Sequence, residues 1–218
     1  MTVHVDVRGL IFDMDNTLLR SRIDFDQMKR ETYAYLRKIS ILDEDLDMES
    51  HTTSTLMAEA VRTSRMTEAM IAEMWGIADR IEKAGMHQAD LEPGVPELLE
   101  QLHGRLPLVV VTNNSSGAAE LALKENKVRH YFDDVIGRDK VKSMKPAPDA
   151  FLHVLAAYKH IPAEHWLSVG DAWIDGAAST AAGIRFVSYN GDTVRMETMG
   201  VQRYAEIREI GQLADFLA

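Results

Sequence analysis

The chain has 218 residues, of which 46% are hydrophobic and 27% are charged, so it can bury one large core or a core domain with an insertion. Its formal net charge is −10, and charge repulsion therefore opposes general binding to nucleic acid or to an anionic membrane. It contains no cysteine, which excludes disulfides, thiolate metal sites and cysteine nucleophiles.

The N-terminal segment and the hydropathy of the chain bear on its compartment. Residues 1–9 alternate polar and apolar side chains and lack the apolar core of a signal peptide. No apolar run approaches the roughly 20 residues that cross a membrane. We therefore expect a soluble cytoplasmic protein with neither nucleic acid nor membrane as a partner, and either a monomer or a homodimer.

Short apolar runs rich in Val, Ile and Phe predict strands, because each stops at small or polar residues. Runs with continuous apolar character are typical of parallel strands buried on both faces. The predicted strands are 7–12, 106–111, 135–136, 166–169 and 185–187.

Helical spacing of apolar residues separates these runs. The predicted helices are 96–102, 116–126, 147–157, 174–182 and 210–217. Strands that alternate with helices predict an α/β fold, with a doubly wound, parallel, Rossmann-like sheet.

One long segment interrupts this alternation. Residues 23–90 contain no proline and no convincing strand, whereas 25–36 and 56–83 have helical spacing and 42–55 is polar. Turn residues at 92–96 then mark the return to the core. We therefore assign residues 1–20 and 91–218 to an α/β core and residues 21–90 to an inserted helical domain.

The first segment with chemical potential is 10–19, where a buried strand runs into Asp13 and Asp15. Residues i and i+2 of an extended chain point the same way, so the two carboxylates repel unless a cation or a proton intervenes. One of them can then be an ionised nucleophile while the other holds a proton as a general acid. A simple turn is the alternative for an isolated pair of this kind.

Three further segments carry polar groups at strand ends or in loops. Thr112 and Asn113 end a strand just before a helix and favour phosphate binding, and the alternative is simple capping of that helix by Ser115 or Ser116. Lys145 lies in a stiff proline-rich loop, where its ammonium group can neutralise a carboxylate or a phosphate. The alternative is an ordinary surface lysine. Asp171 and Asp175 follow another strand, where they suit Mg²⁺ or a helix N-terminus.

Each segment is ambiguous alone, but together they direct carboxylates, hydroxyls and an ammonium group to one edge of one sheet. In this order they resemble the four signature motifs of the haloacid dehalogenase (HAD) superfamily. The insertion resembles the C1 cap of its phosphoglycolate phosphatase and β-phosphoglucomutase branch. The matching residues are Asp13-Met14-Asp15-Asn16-Thr17, Thr112-Asn113, Lys145-Pro146, and Gly170-Asp171 with Asp175.

The resemblance implies a Mg²⁺-dependent phosphatase that acts on small phosphorylated metabolites. Asp13 is then the nucleophile that becomes aspartyl-phosphate, and Asp15 is the general acid and base. Thr112, Asn113 and Lys145 hold the phosphoryl oxygens.

The resemblance also implies a metal site and a role for the insertion. The metal ligands are the Asp13 carboxylate, the Asp15 carbonyl and Asp171, with Asp175 as a further or indirect ligand. The cap closes over the site and selects the substrate. Ala172 departs from the common pattern, in which a polar residue follows the first aspartate of the fourth motif.

Four other activities share this type of fold. Haloacid dehalogenation and phosphonate hydrolysis are disfavoured by Asp15, because the dehalogenase branch lacks it. A non-catalytic binding protein is disfavoured because Asp13, Asp15 and Lys145 are all present. A β-phosphoglucomutase-like phosphomutase stays open, because it shares both aspartates.

Overall fold

The computed structural model describes residues 6–43, 45–87 and 89–217. Residues 1–5, part of the segment that argues against a signal peptide, lie outside the described residues. Backbone contacts divide the chain into two compact units. One unit is Met1–Ser21 with Ala89–Ala218, and the other is Arg22–Gln88.

Among the described residues, eight strands form two sheets, both in the first unit. The strands are β1 Gly9–Phe12, β2 Leu19–Arg20, β3 Asp90–Leu91, β4 Leu108–Val111, β5 Asp134–Ile136, β6 Trp166–Gly170, β7 Arg185–Tyr189 and β8 Ala205–Ile207. Six of them form a parallel sheet in the order β5-β4-β1-β6-β7-β8, and β2 and β3 form an antiparallel pair. The chain runs outward from β1 in both directions, so β1 lies at the point where the winding reverses.

The described part of the chain contains eight α-helices. They are α1 Phe25–Lys38, α2 Thr53–Arg62, α3 Glu68–Met86, α4 Val95–Leu102, α5 Ser116–Glu125, α6 Asp149–Ala157, α7 Trp173–Ala181 and α8 Thr193–Thr198. The first three belong to the second unit and the other five to the first. The predicted fold class, a doubly wound parallel α/β sheet with an inserted helical segment, is confirmed.

The three central strands form the core of the sheet. Every residue of β1, β4 and β6 is buried, as the continuous apolar runs predict. Helices α5, α6 and α7 pack against this sheet or its neighbouring strands. Rigid strands therefore support the loops that leave their carboxyl ends.

Several elements differ from the prediction. Segment 56–83 is not one helical stretch, because the Thr63 hydroxyl bonds to the Ala60 carbonyl, Ser64 adopts φ 56° and Thr67 caps a new helix. The tail is a 3₁₀ helix, Ile210–Phe216, rather than an α-helix. Strand β8 and helix α8 were missed, because each buries a single side chain, Ile207 and Met196.

The helical unit is built around α1. This helix packs against both α2 and α3, and it buries Met28, Thr32 and Leu36. Asp24 and Thr52 cap the first two helices through hydrogen bonds to backbone N–H groups. Within the described residues, no helix combines the length and apolarity needed to span a membrane.

Close packing in the sheet requires glycine at one position of β1. Gly9 pairs with Trp166 of β6, and a Cβ at Gly9 would lie 2.5 Å from a carbon of the indole ring. Trp166 is fully buried, so the ring has no free space to move into.

We therefore predict that Gly9→Ala lowers the free energy of unfolding by about 1–3 kcal/mol, because overpacking forces a shift of the indole ring or the strand. Urea denaturation followed by circular dichroism measures this change. Gly117→Ala is the control, since nothing lies within 4 Å of a Cβ at Gly117. Equal stability of the two variants would contradict the prediction.

Candidate active site

Three neighbouring strands deliver polar side chains to one edge of the sheet. Asp13 follows β1, Thr112 follows β4 and Asp171 follows β6, and β1 lies between the other two strands. The backbone keeps its ladder bonding at these positions, with Asp13 N–H donating to Val169 O at 2.9 Å. The sheet therefore sets the backbone positions of the residues that directly follow these strands.

A tight loop after β1 positions Asp15. Asn16 adopts φ 56°, and the N–H groups of Leu18 and Leu19 both donate to Met14 O at 2.9 Å. The Asp15 carboxylate accepts a hydrogen bond from Asn114 Nδ2 at 2.7 Å. This bond joins the loop after β1 to the loop after β4.

Lys145 lies at the centre of the site. Its ammonium group is 2.6 Å from Asp13 Oδ1 and 2.6 Å from Asp175 Oδ1, and it donates to Val111 O at 3.0 Å. The residue is 2% exposed, so these contacts replace the water that a surface lysine would keep. The surface-lysine alternative is therefore wrong.

The carboxyl groups are held away from their ordinary titration range. Burial raises the pKa of Asp13 well above its usual value, with Asp175 adding to the effect and Lys145 opposing it. Burial and then the charge of Asp175 raise the pKa of Asp171 to about 7. Burial also raises the pKa of Asp15, whereas the Ser21 hydroxyl and the Asn114 amide act to lower it.

Burial alone would lower the pKa of Lys145, but the charges of Asp13 and Asp175 raise it above its ordinary value. The ammonium group therefore stays charged, and it compensates part of the surrounding negative charge. The site still holds more carboxylates than cationic groups among the residues described here.

Three of these carboxylates suit a divalent cation. Asp13, Asp171 and Asp175 each offer one oxygen, and the three oxygens lie within 4.8 Å of one another. Hard oxygen donors of this kind fit Mg²⁺. Asp175 also accepts from Ala172 N–H at 3.0 Å, so one carboxylate caps α7, contacts Lys145 and borders the acidic cluster.

The Asp15 side chain is not part of this three-oxygen group, and its Oδ2 accepts the hydrogen bond from Asn114. The metal ligand predicted at Asp15 is a main-chain carbonyl, and it stays a prediction.

The structure brings Thr112 and Asn113 to the site in different roles. Thr112 Oγ1 accepts from Asn114 N–H at 3.1 Å, which leaves its hydroxyl proton free to donate elsewhere. The Asn113 side chain binds the main chain of Lys145 at both its carbonyl and its N–H group. Asn113 is thus engaged within the protein, whereas the sequence predicted a phosphate contact.

The segment after β5 forms hydrogen bonds with the loop that follows β4. Gly137 N–H donates to Ser116 Oγ at 3.1 Å, and Arg138 N–H donates to Asn114 O at 3.0 Å. Asp139 Oδ1 accepts from Ser116 N–H at 2.6 Å. A side chain at Gly137 would collide with the Ser116 and Asn114 backbone, so only glycine permits this approach.

Two positioning residues were missed by sequence reasoning. Asn114 belongs to the segment that was interpreted as a phosphate loop or a helix cap. Its position beside Asn113 in the sequence does not indicate a contact with Asp15. Arg138 is 9% exposed and donates Nη1–H to Asn113 O at 3.1 Å. Nothing local distinguishes it from a surface arginine, because the burial comes from tertiary packing.

A parallel α/β sheet with an Asp-x-Asp pair, a buried lysine and an acidic cluster at its carboxyl edge defines an α/β enzyme with a cation-compatible site. Haloacid dehalogenase-like hydrolases match residues 10–189 of the chain. The chain therefore belongs to the haloacid dehalogenase-like hydrolase family.

Two curated proteins and one solved structure illustrate the relationship. Fructose-1-phosphate phosphatase YqaB of Escherichia coli is 31% identical over 66% of this chain and 76% of its own length. Phosphoglycolate phosphatase of Vibrio parahaemolyticus is 29% identical over 82% of this chain and 81% of its own.

The solved structure is the putative HAD-hydrolase YfnB of Bacillus subtilis bound to magnesium. It has a TM-score of 0.64 at 22% identity, over 97% of this chain and 98% of that chain, which shows a shared fold. The family match and the two curated relatives confirm the predictions of the family and of a phosphatase within it.

Repulsion within the acidic cluster has a consequence for stability. We predict that Asp171→Asn raises the free energy of unfolding in EDTA by about 1–3 kcal/mol, because it removes one of three close carboxylate charges. Urea denaturation at pH 8 measures the change. Asp215→Asn is the control, since it removes the same charge from an exposed position. A less stable Asp171→Asn protein would contradict the prediction.

Proposed function

We propose that this protein is a magnesium-dependent phosphatase that hydrolyses small phosphate monoesters through an aspartyl-phosphate intermediate on Asp13. The observation that carries the proposal is the Lys145 ammonium group, 2.6 Å from Asp13 and from Asp175 within a group of carboxylates. An anionic substrate can enter such a site only if its charge is compensated, and the same compensation stabilises phosphoryl transfer.

Asp13 is the proposed nucleophile. Its carboxylate stands at the end of a fully buried strand, with one oxygen bonded to Lys145. That contact favours the ionised form against the effect of burial. Asp13 attacks phosphorus in line, forms an O–P bond and releases the alcohol, and water then breaks the new bond to give inorganic phosphate.

Asp13, Asp171 and Asp175, with the Asp15 carbonyl, are the proposed magnesium ligands. When bound, Mg²⁺ neutralises charge on Asp13 and on the transferring phosphoryl group. The oxygen-only donor set supports this part of the proposal. The magnesium in the Bacillus subtilis protein is consistent with it.

Asp15 is the proposed general acid and base. It gives a proton to the leaving alcohol oxygen in the first step and takes a proton from the attacking water in the second. Burial raises the pKa of Asp15, and this shift favours the protonated form that the acid role requires. Asn114 fixes the direction of the carboxyl group through its hydrogen bond.

Lys145 and the Thr112 hydroxyl are the proposed partners of the phosphoryl oxygens. The Asn113 contact to these oxygens is assigned to its main-chain N–H, which donates to no group among the described residues. Such N–H groups before a helix N-terminus suit anions.

The proposed substrate class is a small phosphorylated metabolite such as a sugar phosphate, a phosphoglycolate-like acid or a nucleotide. The names of the relatives, which include fructose-1-phosphate and phosphoglycolate phosphatases, support this class. We propose a cytoplasmic protein, monomeric or homodimeric, without nucleic-acid or membrane partners, which agrees with its net charge of −10.

We predict that the protein releases inorganic phosphate from members of a panel of small monoesters when Mg²⁺ is present, and that EDTA abolishes release. The reason is that the acidic cluster needs a cation before it accepts an anion. Release that continues in EDTA would contradict the metal requirement. If no compound releases phosphate and a sugar phosphate is isomerised instead, the β-phosphoglucomutase-like alternative replaces this proposal.

We predict that Asp13→Asn abolishes turnover and leaves the protein folded, because an amide cannot form the aspartyl-phosphate bond. Phosphate release measures turnover, and circular dichroism reports the fold. Acid quenching of the wild-type reaction is expected to trap one phosphoryl group on the peptide that contains Asp13. Asp215→Asn is the control, with wild-type turnover. A folded Asp13→Asn protein that turns over substrate would rule out the mechanism.

A further inference from the structure

We propose that the Asn113 side chain is a positioning residue for Lys145, rather than a ligand of the phosphoryl group. Asn113 Nδ2 donates to Lys145 O at 3.0 Å, and Lys145 N–H donates to Asn113 Oδ1 at 2.9 Å. The amide thus pairs with both main-chain groups of one residue, as a neighbouring strand would. This inference rests on the proposed function for its catalytic meaning.

Lys145 depends on this pairing. It lies between the 3₁₀ helix Arg138–Lys140 and α6 rather than in a strand, and its main chain has no other hydrogen bond among the described residues. Its side chain must nevertheless reach Asp13 and Asp175 at 2.6 Å each. A shift of the Lys145 main chain would move the ammonium group away from both carboxylates, and misplacement by about 1 Å can cost about 100-fold in rate.

The loop that carries Asn113 is itself held. Arg138 Nη1 donates to Asn113 O at 3.1 Å, and Arg138 N–H donates to Asn114 O at 3.0 Å. The chain of contacts therefore runs from the segment after β5, through Asn113, to the main chain of Lys145 and on to Asp13. Sequence order hides this chain, because Asn113 and Lys145 are 32 residues apart.

The first test measures the accessibility of Lys145 without any assay of turnover. Acetic anhydride labels lysines, and peptide mass spectrometry reads the rate at each one, with exposed Lys142 as the internal reference. We expect Asn113→Ala to raise the labelling rate of Lys145 by about tenfold, because the main chain is released. Ser115→Ala is the matched control, since Ser115 caps α5 and has no hydrogen bond to Lys145 among the described residues.

Asn113→Asp is the second variant, and it distinguishes the loss of a specific hydrogen bond from a general loss of structure. It has the same shape and keeps an acceptor for Lys145 N–H, but it places an oxygen against Lys145 O. We expect a labelling rate between those of the wild type and Asn113→Ala. Lys145 labelling that stays at the wild-type rate in both variants would overturn the inference.

The second test is a double-mutant cycle with Lys145. We expect Asn113→Ala to lower kcat/KM by about 100-fold in the wild type. In the Lys145→Ala protein the same change should lower the residual value by no more than about twofold. An equal loss in both backgrounds would mean that Asn113 acts independently of Lys145, as a phosphate ligand would, and would overturn the inference. If the wild type releases no phosphate, the proposed function fails, while the labelling test still decides the role of Asn113.

Discussion

A buried ammonium group between two carboxylates is the contact on which the rest of the site depends. Lys145 faces Asp13 and Asp175 at 2.6 Å each, and all three side chains are buried. A buried charge without a partner is unstable, so each of the three requires the others. The surplus of negative charge that remains is what makes the site suited to a cation and then to a phosphorylated ligand.

The parallel sheet explains why such distant residues meet. Asp13 and Lys145 are separated by 132 positions, and Asp15 and Asn114 by 99. The carboxyl ends of β4, β1 and β6 lie side by side, so the loop that follows each strand opens at the same edge. Rigid, fully buried strands hold the base of each loop. The loops carry the side chains of the site.

A layer of supporting residues holds the loops and carboxyl groups of the site in place. Asn114 holds the Asp15 carboxyl group, Asn113 holds the Lys145 main chain, and the Gly137–Asp139 segment holds both asparagines through their loop. These residues set positions rather than supply reactive atoms. Precise placement of the reacting groups depends on such supporting contacts.

The sequence by itself determined the fold class, the central strands and the four segments that carry the chemistry. Those features are local: continuous apolar runs specify buried strands, and polar residues at their ends specify the sheet edge. It failed where local signal is weak, as in β8 and α8, which each bury one side chain, and in the helix break at Ser64. Only the tertiary structure decided that Asn113 faces Lys145 and Asn114 faces Asp15. Neighbouring asparagines are identical in type, and what separates their roles is which distant backbone or carboxylate the fold brings against each side chain.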